Sequence, residues 1–249
     1  MKSKLVVALS ALGFCAFASA EPEQPWEVKA ELGVIATSGN TETTSIQAKL
    51  DAKQYTPRWH NHYVLNGLFK RDQVTRDDGT KTKEDTAEKY FASAKTAYQL
   101  DNDTSNLFLF GSHTDDKFGS YSEYSTVAVG YGARVFETDT MKLDAEVGPG
   151  YFRAKQVLND ETTEREDGFL LRGAASFNWQ FTETAEFNQT VSVESAQENT
   201  RTIAESSVST RINNSMQLKV GFNVSNDSDV APGKKKTDTT SYVNLVYSF

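Results

Sequence analysis

From residue 26 onward the chain alternates apolar with polar residues, segment after segment, and turn-forming residues separate the segments. Trp26, Val28, Ala30, Leu32 and Val34 interleave with Glu27, Lys29, Glu31 and Gly33, and the pattern breaks at Thr37-Ser38-Gly39-Asn40-Thr41. Successive side chains of a strand point to opposite faces, so a period of two describes a strand with one apolar face, and the break describes a hairpin. The return segment sets Ile46, Ala48, Leu50 and Ala52 against Gln47, Lys49, Asp51 and Lys53, then turns at Thr56-Pro57-Arg58. A third strand over 59–71 carries Tyr63, Leu65, Gly67 and Phe69 on its apolar side. Residues 72–87, with Asp77-Asp78-Gly79, lose the alternation and read as the longest loop.

The pattern resumes over 88–100, 105–114 and 121–136, and again from Leu143 through Gly148-Pro149-Gly150-Tyr151. Later strands carry Phe169, Leu171, Phe177 and Trp179, then Phe187, Val191 and Val193, then Val208 and Ile212, then Met216, Leu218, Val220 and Phe222. Leu107-Phe108-Leu109-Phe110 is apolar on both faces, so periodicity assigns it no inside. Residues 239–249 end the chain with Val243, Leu245, Tyr247 and Phe249 on one face and Asn244 and Ser248 on the other. This gives about twelve strands, an even number that returns both termini to the periplasmic side of a membrane barrel. The short connections near Thr56, Asn102, Thr138, Thr182 and Asn213 then fall on that side, and the longer ones near Gly79, Thr162 and Gly233 fall outside. Trp26, Trp59, Tyr98, Phe136, Trp179, Phe181 and Phe249 collect near the periplasmic strand ends, as an interfacial girdle does.

The beginning of the chain points to export. Lys2 and Lys4 precede an apolar run over 5–17, and Ala18-Ser19-Ala20 supplies the small residues of a signal cleavage site. The run is shorter than the ~20 residues of a spanning helix, and the bulky Phe14 before Cys15 argues against lipoprotein processing. The expected organisation is a signal peptide over 1–20 and a barrel over 21–249, beginning at Glu21. Cys15, the one cysteine, would leave with the signal, so no disulfide framework is expected. The net charge of −8 offers no basic footprint for nucleic acid. A negative mean hydropathy is compatible with a membrane barrel, because its strands place only alternate residues in lipid. The competing architecture, an exported soluble β-sandwich, would turn the polar face of a dozen strands outward in one very large sandwich. The fold class read from the pattern is therefore all-β: a transmembrane antiparallel up-and-down barrel in the bacterial outer membrane, behind a cleaved signal peptide.

Charge fixes the register of that barrel. A Lys or Arg on the lipid face costs about 2–4 kcal/mol at the bilayer midplane, so the charged positions belong inside. Arg134, Glu146, Arg172, Glu194, Arg211 and Lys219 are the leading lumen residues, with Glu27, Lys29, Glu31, Lys49 and Asp51 on the same register. Mixed signs leave two uses for the interior: the charges pair across it and plug it, or they line water. Gly130, Gly132, Gly148 and Gly150 project inward from two neighbouring strands and leave a smooth patch. Glycine in a strand often marks close approach of another group, and Pro149 removes a ladder donor. Part of the 72–87 loop, or Arg172 or Arg211, is expected to pack there and narrow the lumen.

No chemistry stands out beyond this. His60 and His62 share a face beside Trp59, but no third ligand is placed, so a girdle role is expected and no metal site. Ser112 and His113 point to opposite faces; Ser125 on the next strand is the remaining partner for a lipid-acting hydrolase, and no enzyme is expected. Asp77, Asp78, Asp115, Asp116, Asp227 and Asp229 lack calcium-loop spacing. Lys234-Lys235-Lys236 lacks the glycine of a phosphate loop, and its plainer role is contact with anionic lipopolysaccharide among the outer-membrane lipids. No cofactor is expected.

Two resemblances add to this reading. The ending with Val243, Leu245, Tyr247 and Phe249 resembles the C-terminal signal of bacterial outer-membrane barrels, with Asn244 where glycine is frequent. That implies recognition by the barrel assembly machinery. Thr37-Ser38-Gly39-Asn40-Thr41, Asp116-Lys117-Phe118-Gly119-Ser120-Tyr121, Gly130-Tyr131-Gly132 and Glu146-Val147-Gly148-Pro149-Gly150-Tyr151, in this order, resemble the YdiY-like family of salt-induced outer-membrane proteins, a domain of unknown function. The resemblance spans nearly all of 21–249 and implies an outer-membrane barrel linked to osmotic or salt stress, with no catalytic residues to carry over. The expected function is a narrow channel for ions or small solutes. A structural barrel with a plugged lumen and a lipid-acting hydrolase are the alternatives.

Overall fold

The computed structural model describes residues 26–37, 43–75, 80–101, 104–158, 162–232 and 234–249. The signal segment 1–20, the start at Glu21, and the turn residues Ser38-Gly39-Asn40-Thr41 and Asp77-Asp78-Gly79 lie outside the described residues. Twelve strands follow one another: β1 (Trp26–Thr37), β2 (Thr43–Tyr55), β3 (Trp59–Thr75), β4 (Lys81–Gln99), β5 (Ser105–Asp116), β6 (Tyr121–Glu137), β7 (Met141–Val157), β8 (Thr163–Gln180), β9 (Ala185–Ala196), β10 (Thr200–Arg211), β11 (Met216–Asp227) and β12 (Thr237–Ser248). Each pairs antiparallel with its sequence neighbours, and β12 returns to β1, so the sheet is a closed barrel. No helix among the described residues is long and apolar enough to cross a membrane.

The apolar face of each strand is the outer wall. Leu32, Val34, Leu65, Val127, Val129, Leu171, Val220, Val243 and Leu245 are all exposed there, an arrangement that only lipid makes favourable. The ambiguous β5 resolves: Leu107 and Leu109 face out, while Phe108 is buried inside and Phe110 packs against the same inner cluster. At the end carrying both termini, Trp59 meets Tyr98 edge-on at 5.1 Å, Trp179 meets Phe181 at 5.5 Å, and Tyr247 meets Phe249 at 4.9 Å.

Two expectations are corrected. Most of the 72–87 segment expected to be a loop is strand, because β3 continues to Thr75 and β4 begins at Lys81, with a bulge at Lys70/Arg71. The alternation fades because both faces of these strand ends carry charged and polar side chains, as with Arg71, Asp72, Lys83, Glu84 and Asp85. Between them Arg71 Nε donates to Asp85 at 2.6 Å, which holds the Asp85 carboxyl below its ordinary range. Much of the expected length on the side away from the termini is therefore strand, and among those connections 228–236 remains long. The second correction concerns His60 and His62, which lie on the inner face rather than in the girdle. Tyr63 and Leu65 take the outer positions of β3, so the even positions turn inward. His62 Nε2 lies 2.9 Å from Asp51 Oδ1, and the His60 ring sits edge-on to Tyr55 at 5.0 Å.

The seam is the shortest pairing in the barrel. β12 and β1 match only from Lys29↔Ser248 to Leu32↔Leu245, whereas β1 and β2 match from Trp26↔Gln54 to Thr37↔Thr43. Phe249 N donates to Val28 O at 3.0 Å, which pins the last residue to the first strand. Closed pairing predicts that unboiled protein in detergent migrates faster on a denaturing gel than boiled protein. Deleting Phe249 removes a seam hydrogen bond and an outward aromatic together. The deletion should lower the fraction of fast-migrating form recovered from membranes well below that of a Phe249→Tyr variant, and equal recovery would count against the role assigned to the terminal residue.

Candidate functional site

Inside the barrel, charged side chains collect in two groups. The first bridges the seam. Glu31 on β1 accepts from Asn244 Nδ2 on β12 at 3.0 Å and from Lys219 Nζ on β11 at 3.2 Å, and Lys49 Nζ on β2 lies 3.9 Å away. Lys219 also reaches Glu205 on β10 at 3.2 Å, and the Tyr242 hydroxyl donates to the same carboxylate. Asn244 is 1% exposed, and its amide oxygen, free of any hydrogen bond, presses on the space above Gly33. The residue at that position of β1 therefore has to lack a side chain.

The second group lies on the other side of the lumen. Lys95 Nζ donates to Glu146 at 2.8 Å, and Arg172 Nη1 donates to the other oxygen of Glu146 at 2.5 Å. Arg172 Nε stands 3.5 Å from Glu194, an ion-pair distance without hydrogen-bond alignment, and Thr126 Oγ1 donates to Glu194 at 2.9 Å. The Arg172 guanidinium also lies over the Phe110 ring at 4.0 Å. β4, β5, β6, β7, β8 and β9 thus meet in one cluster. Taking such charges out of water costs several kcal/mol per ion, which their mutual attraction roughly returns. The pairs accordingly fix which side chains meet in this part of the lumen more than they add stability.

Above this cluster the lumen is aromatic and then capped. Tyr121, Tyr124, Phe152, Ala154 and Leu170 form a buried apolar cluster, and Arg201 lies over the Tyr124 ring at 4.3 Å. Arg201 Nε is 4.0 Å from Asp227, which accepts from Asn199 Nδ2 at 3.0 Å. Asn199 Oδ1 in turn accepts from Asp229 N at 3.1 Å in the 228–236 connection. That connection joins β11 to β12, yet the Tyr121 hydroxyl donates to Asp229 O at 3.4 Å and Ser120 Oγ to Lys235 O at 3.5 Å. Tyr121 begins β6, on the opposite side of the ring, so the segment crosses the mouth. Toward the termini the interior is wetter: Arg134 pairs with Asp144 at 3.1 Å and with Glu137 at 2.7 Å, and the Asp144 side chain is 44% exposed against 8% for Arg172.

The glycine positions are occupied, but not as expected. Gly130 and Gly148 face each other across β6 and β7, and a Cβ on Gly148 would stand 2.6 Å from Gly130 Cα. The ladder skips from Ala128↔Gly150 to Tyr131↔Val147, the gap left where Pro149 has no N–H to donate. Phe108 fills the space over Gly130 and Leu170 the space over Gly150. The described parts of the 72–87 segment do not pack there, because they pair with each other as the ends of β3 and β4. Nor does Arg211, which is exposed at the end of β10 nearest the termini. Arg172 sits beside the patch as the cross-strand neighbour of Gly148. The inward aromatics Phe108, Phe110, Tyr124 and Phe152 are the part that period-two reasoning missed; the two-faced apolar run of β5 was the available signal.

On the outer wall, His113 Nδ1 and Ser125 Oγ are 2.8 Å apart. No carboxylate is hydrogen-bonded to His113 among the described residues, so the pair lacks the third group that orients a catalytic histidine. Among the described residues no three His, Cys, Asp or Glu side chains converge as metal ligands.

The seam cluster yields a stability prediction. Glu31→Gln removes the charge that faces both Lys219 and Lys49, while the control Glu27→Gln alters a half-exposed pair with Lys29. Loss of a buried partner predicts a cost of about 3 kcal/mol at Glu31 and under about 1 kcal/mol at Glu27. Urea unfolding followed by the shift in gel mobility measures both.

Residues 30–249 match DUF481, a protein family of unknown function. The chain is 29% identical over 230 residues to the uncharacterized protein YdiY of Escherichia coli strain K12, covering 92% of this chain and 85% of that protein. Among solved structures, the NanC porin aligns with a TM-score of 0.50 at 11% identity, covering 89% of this chain and 98% of that one. The translocator domain of the autotransporter NalP from Neisseria meningitidis aligns with a TM-score of 0.47 at 12% identity, covering 90% and 87%. At such identities a structural likeness speaks for fold alone, and the fold is that of outer-membrane barrels. With the family model matching residues 30–249, from within β1 to the last residue, the chain belongs to the DUF481 family.

Proposed function

We propose that this protein is a narrow conduit for ions or small solutes across the outer membrane, constricted at rest. In this reading the wet lower lumen is a vestibule open to the periplasm, and the layer around Arg172, Glu146, Glu194, Phe110 and Tyr124 is the constriction. The carrying observation is the contrast in hydration along one lumen: Asp144 at 44% exposed, Arg172 at 8%. Twelve strands lie between eight-stranded barrels filled by side chains and sixteen-stranded porins that enclose water, so a few side chains are enough to decide passage. The aligned NanC structure is a porin, which agrees with this reading. A link to salt stress fits the chemistry too. Pairs such as Lys95 with Glu146, where Lys95 remains one-third exposed, weaken with ionic strength, whereas the drier Arg172 pairs are screened much less. Delivery through a cleaved signal over 1–20 and insertion by the barrel assembly machinery complete the proposal.

The test is electrical. Purified wild-type barrel in planar bilayers should give a small conductance that rises more than proportionally with salt. The double variant Arg172→Ala/Glu194→Ala removes bulk from the constriction and keeps net charge, and should raise conductance several-fold while retaining the fast-migrating folded form. Silence from both proteins would instead favour a structural barrel with a permanently plugged lumen.

A further inference from the structure

The outer wall carries a polar cleft that the conduit does not use. Glu123 and Ser125 on β6, Arg153 and Lys155 on β7, and Arg165 and Asp167 on β8 line an open hollow of about 410 Å³. These positions form two cross-strand rows, Ser125↔Arg153↔Asp167 and Glu123↔Lys155↔Arg165. One row closer to the termini, the same wall is Val127, Tyr151 and Phe169, all exposed, with Phe169 at 83%. The cleft therefore sits where the apolar band ends on the side away from the termini, at the level of lipid headgroups.

Its charges are unevenly satisfied. Asp167 accepts from the Tyr151 hydroxyl, and Glu123 lies 3.8 Å from Lys155. Arg153 and Arg165 form no ion pair among the described residues, although both are exposed beside the apolar band. Elsewhere on this wall even neutral polar groups find each other: Ser206 donates to Gln189, and Asn61 to Gln54. Two guanidiniums without an ion pair among the described residues, set at a headgroup boundary, match a phosphate, which takes planar bidentate donors well. Ser125, already held by His113, adds a hydroxyl at the lower edge of the hollow.

We propose that this cleft binds a phosphorylated glycolipid of the outer leaflet, such as the lipid A end of lipopolysaccharide. Arg153 and Arg165 take the phosphate, and the acyl chains lie down the wall over Tyr151 and Phe169. Binding to the folded barrel raises its stability by mass action, so thermal unfolding in detergent, read by gel mobility, reports it. The probes are bisphosphorylated lipid A, the same lipid with its phosphates removed, and inorganic phosphate. Lipid A should raise the wild-type midpoint by several degrees, while the other two probes leave it unchanged. The Arg153→Gln/Arg165→Gln variant should lose that response, and Arg153→Lys/Arg165→Lys should keep part of it, which guards against a folding defect in the first. An equal rise with dephosphorylated lipid, an equal rise with inorganic phosphate, or an undiminished response in the glutamine variant would each overturn the assignment.

Discussion

A sheet in lipid has to close. Every backbone N–H and C=O left without a partner in hydrocarbon costs several kcal/mol, and an open sheet leaves two rows of them. In this protein closure depends on a short stretch of ladder, Lys29 to Leu32 against Leu245 to Ser248. Side chains make good what the ladder lacks. Glu31 gathers Asn244, Lys219 and Lys49 from β12, β11 and β2, so one carboxylate ties four strands across the join. The close fit of Asn244 against Gly33 then sets how near the two strands stand. An acidic residue at the seam is expensive in a dry interior, and it is retained where it holds the end of the chain to its beginning.

The same economy of charge shapes the lumen. Arg172 lies among Glu146, Glu194 and Phe110, and each partner comes from a different strand. Removing Arg172 alone would leave Glu194 without its cation in low dielectric, so the cluster tolerates change best in charge-matched pairs. It is continuous with the mouth through Thr126, Glu194, Tyr124, Arg201, Asp227 and Asn199, which reaches the 228–236 segment. Movement of that segment would therefore be felt at the Arg172 cluster by way of this chain of neighbouring side chains.

Much of the wall was legible in the sequence, because lipid outside and charge inside impose a period of two that few other environments require. The same reasoning failed where that asymmetry ends. At the ends of β3 and β4, over 72–75 and 81–87, both strand faces carry charged and polar residues, so strand could not be told from loop. At Phe108, Phe110, Phe152 and Leu170 the inside is apolar as well, and alternation carries no information about filling. His60 and His62 were misplaced through the company of Trp59, although their even register already pointed inward. Which partner each lumen charge takes depends on strand tilt and stagger, and no one-dimensional pattern encodes them.

Depth in the membrane explains the contrast between arginines on a single strand. Arg172 and Arg165 both belong to β8, and their register sends one inward and the other outward. Inward, at the level of the glycine patch, a guanidinium has to be matched within the protein, and Arg172 has two carboxylates and an aromatic face. Outward, Arg165 stands two rows beyond Phe169, past the exposed apolar row of Val127, Tyr151 and Phe169. There the missing partner can be supplied by the membrane. If the proposed glycolipid site holds, the pattern of which cations are paired inside the protein and which are left to the lipid traces the upper edge of the bilayer along this wall.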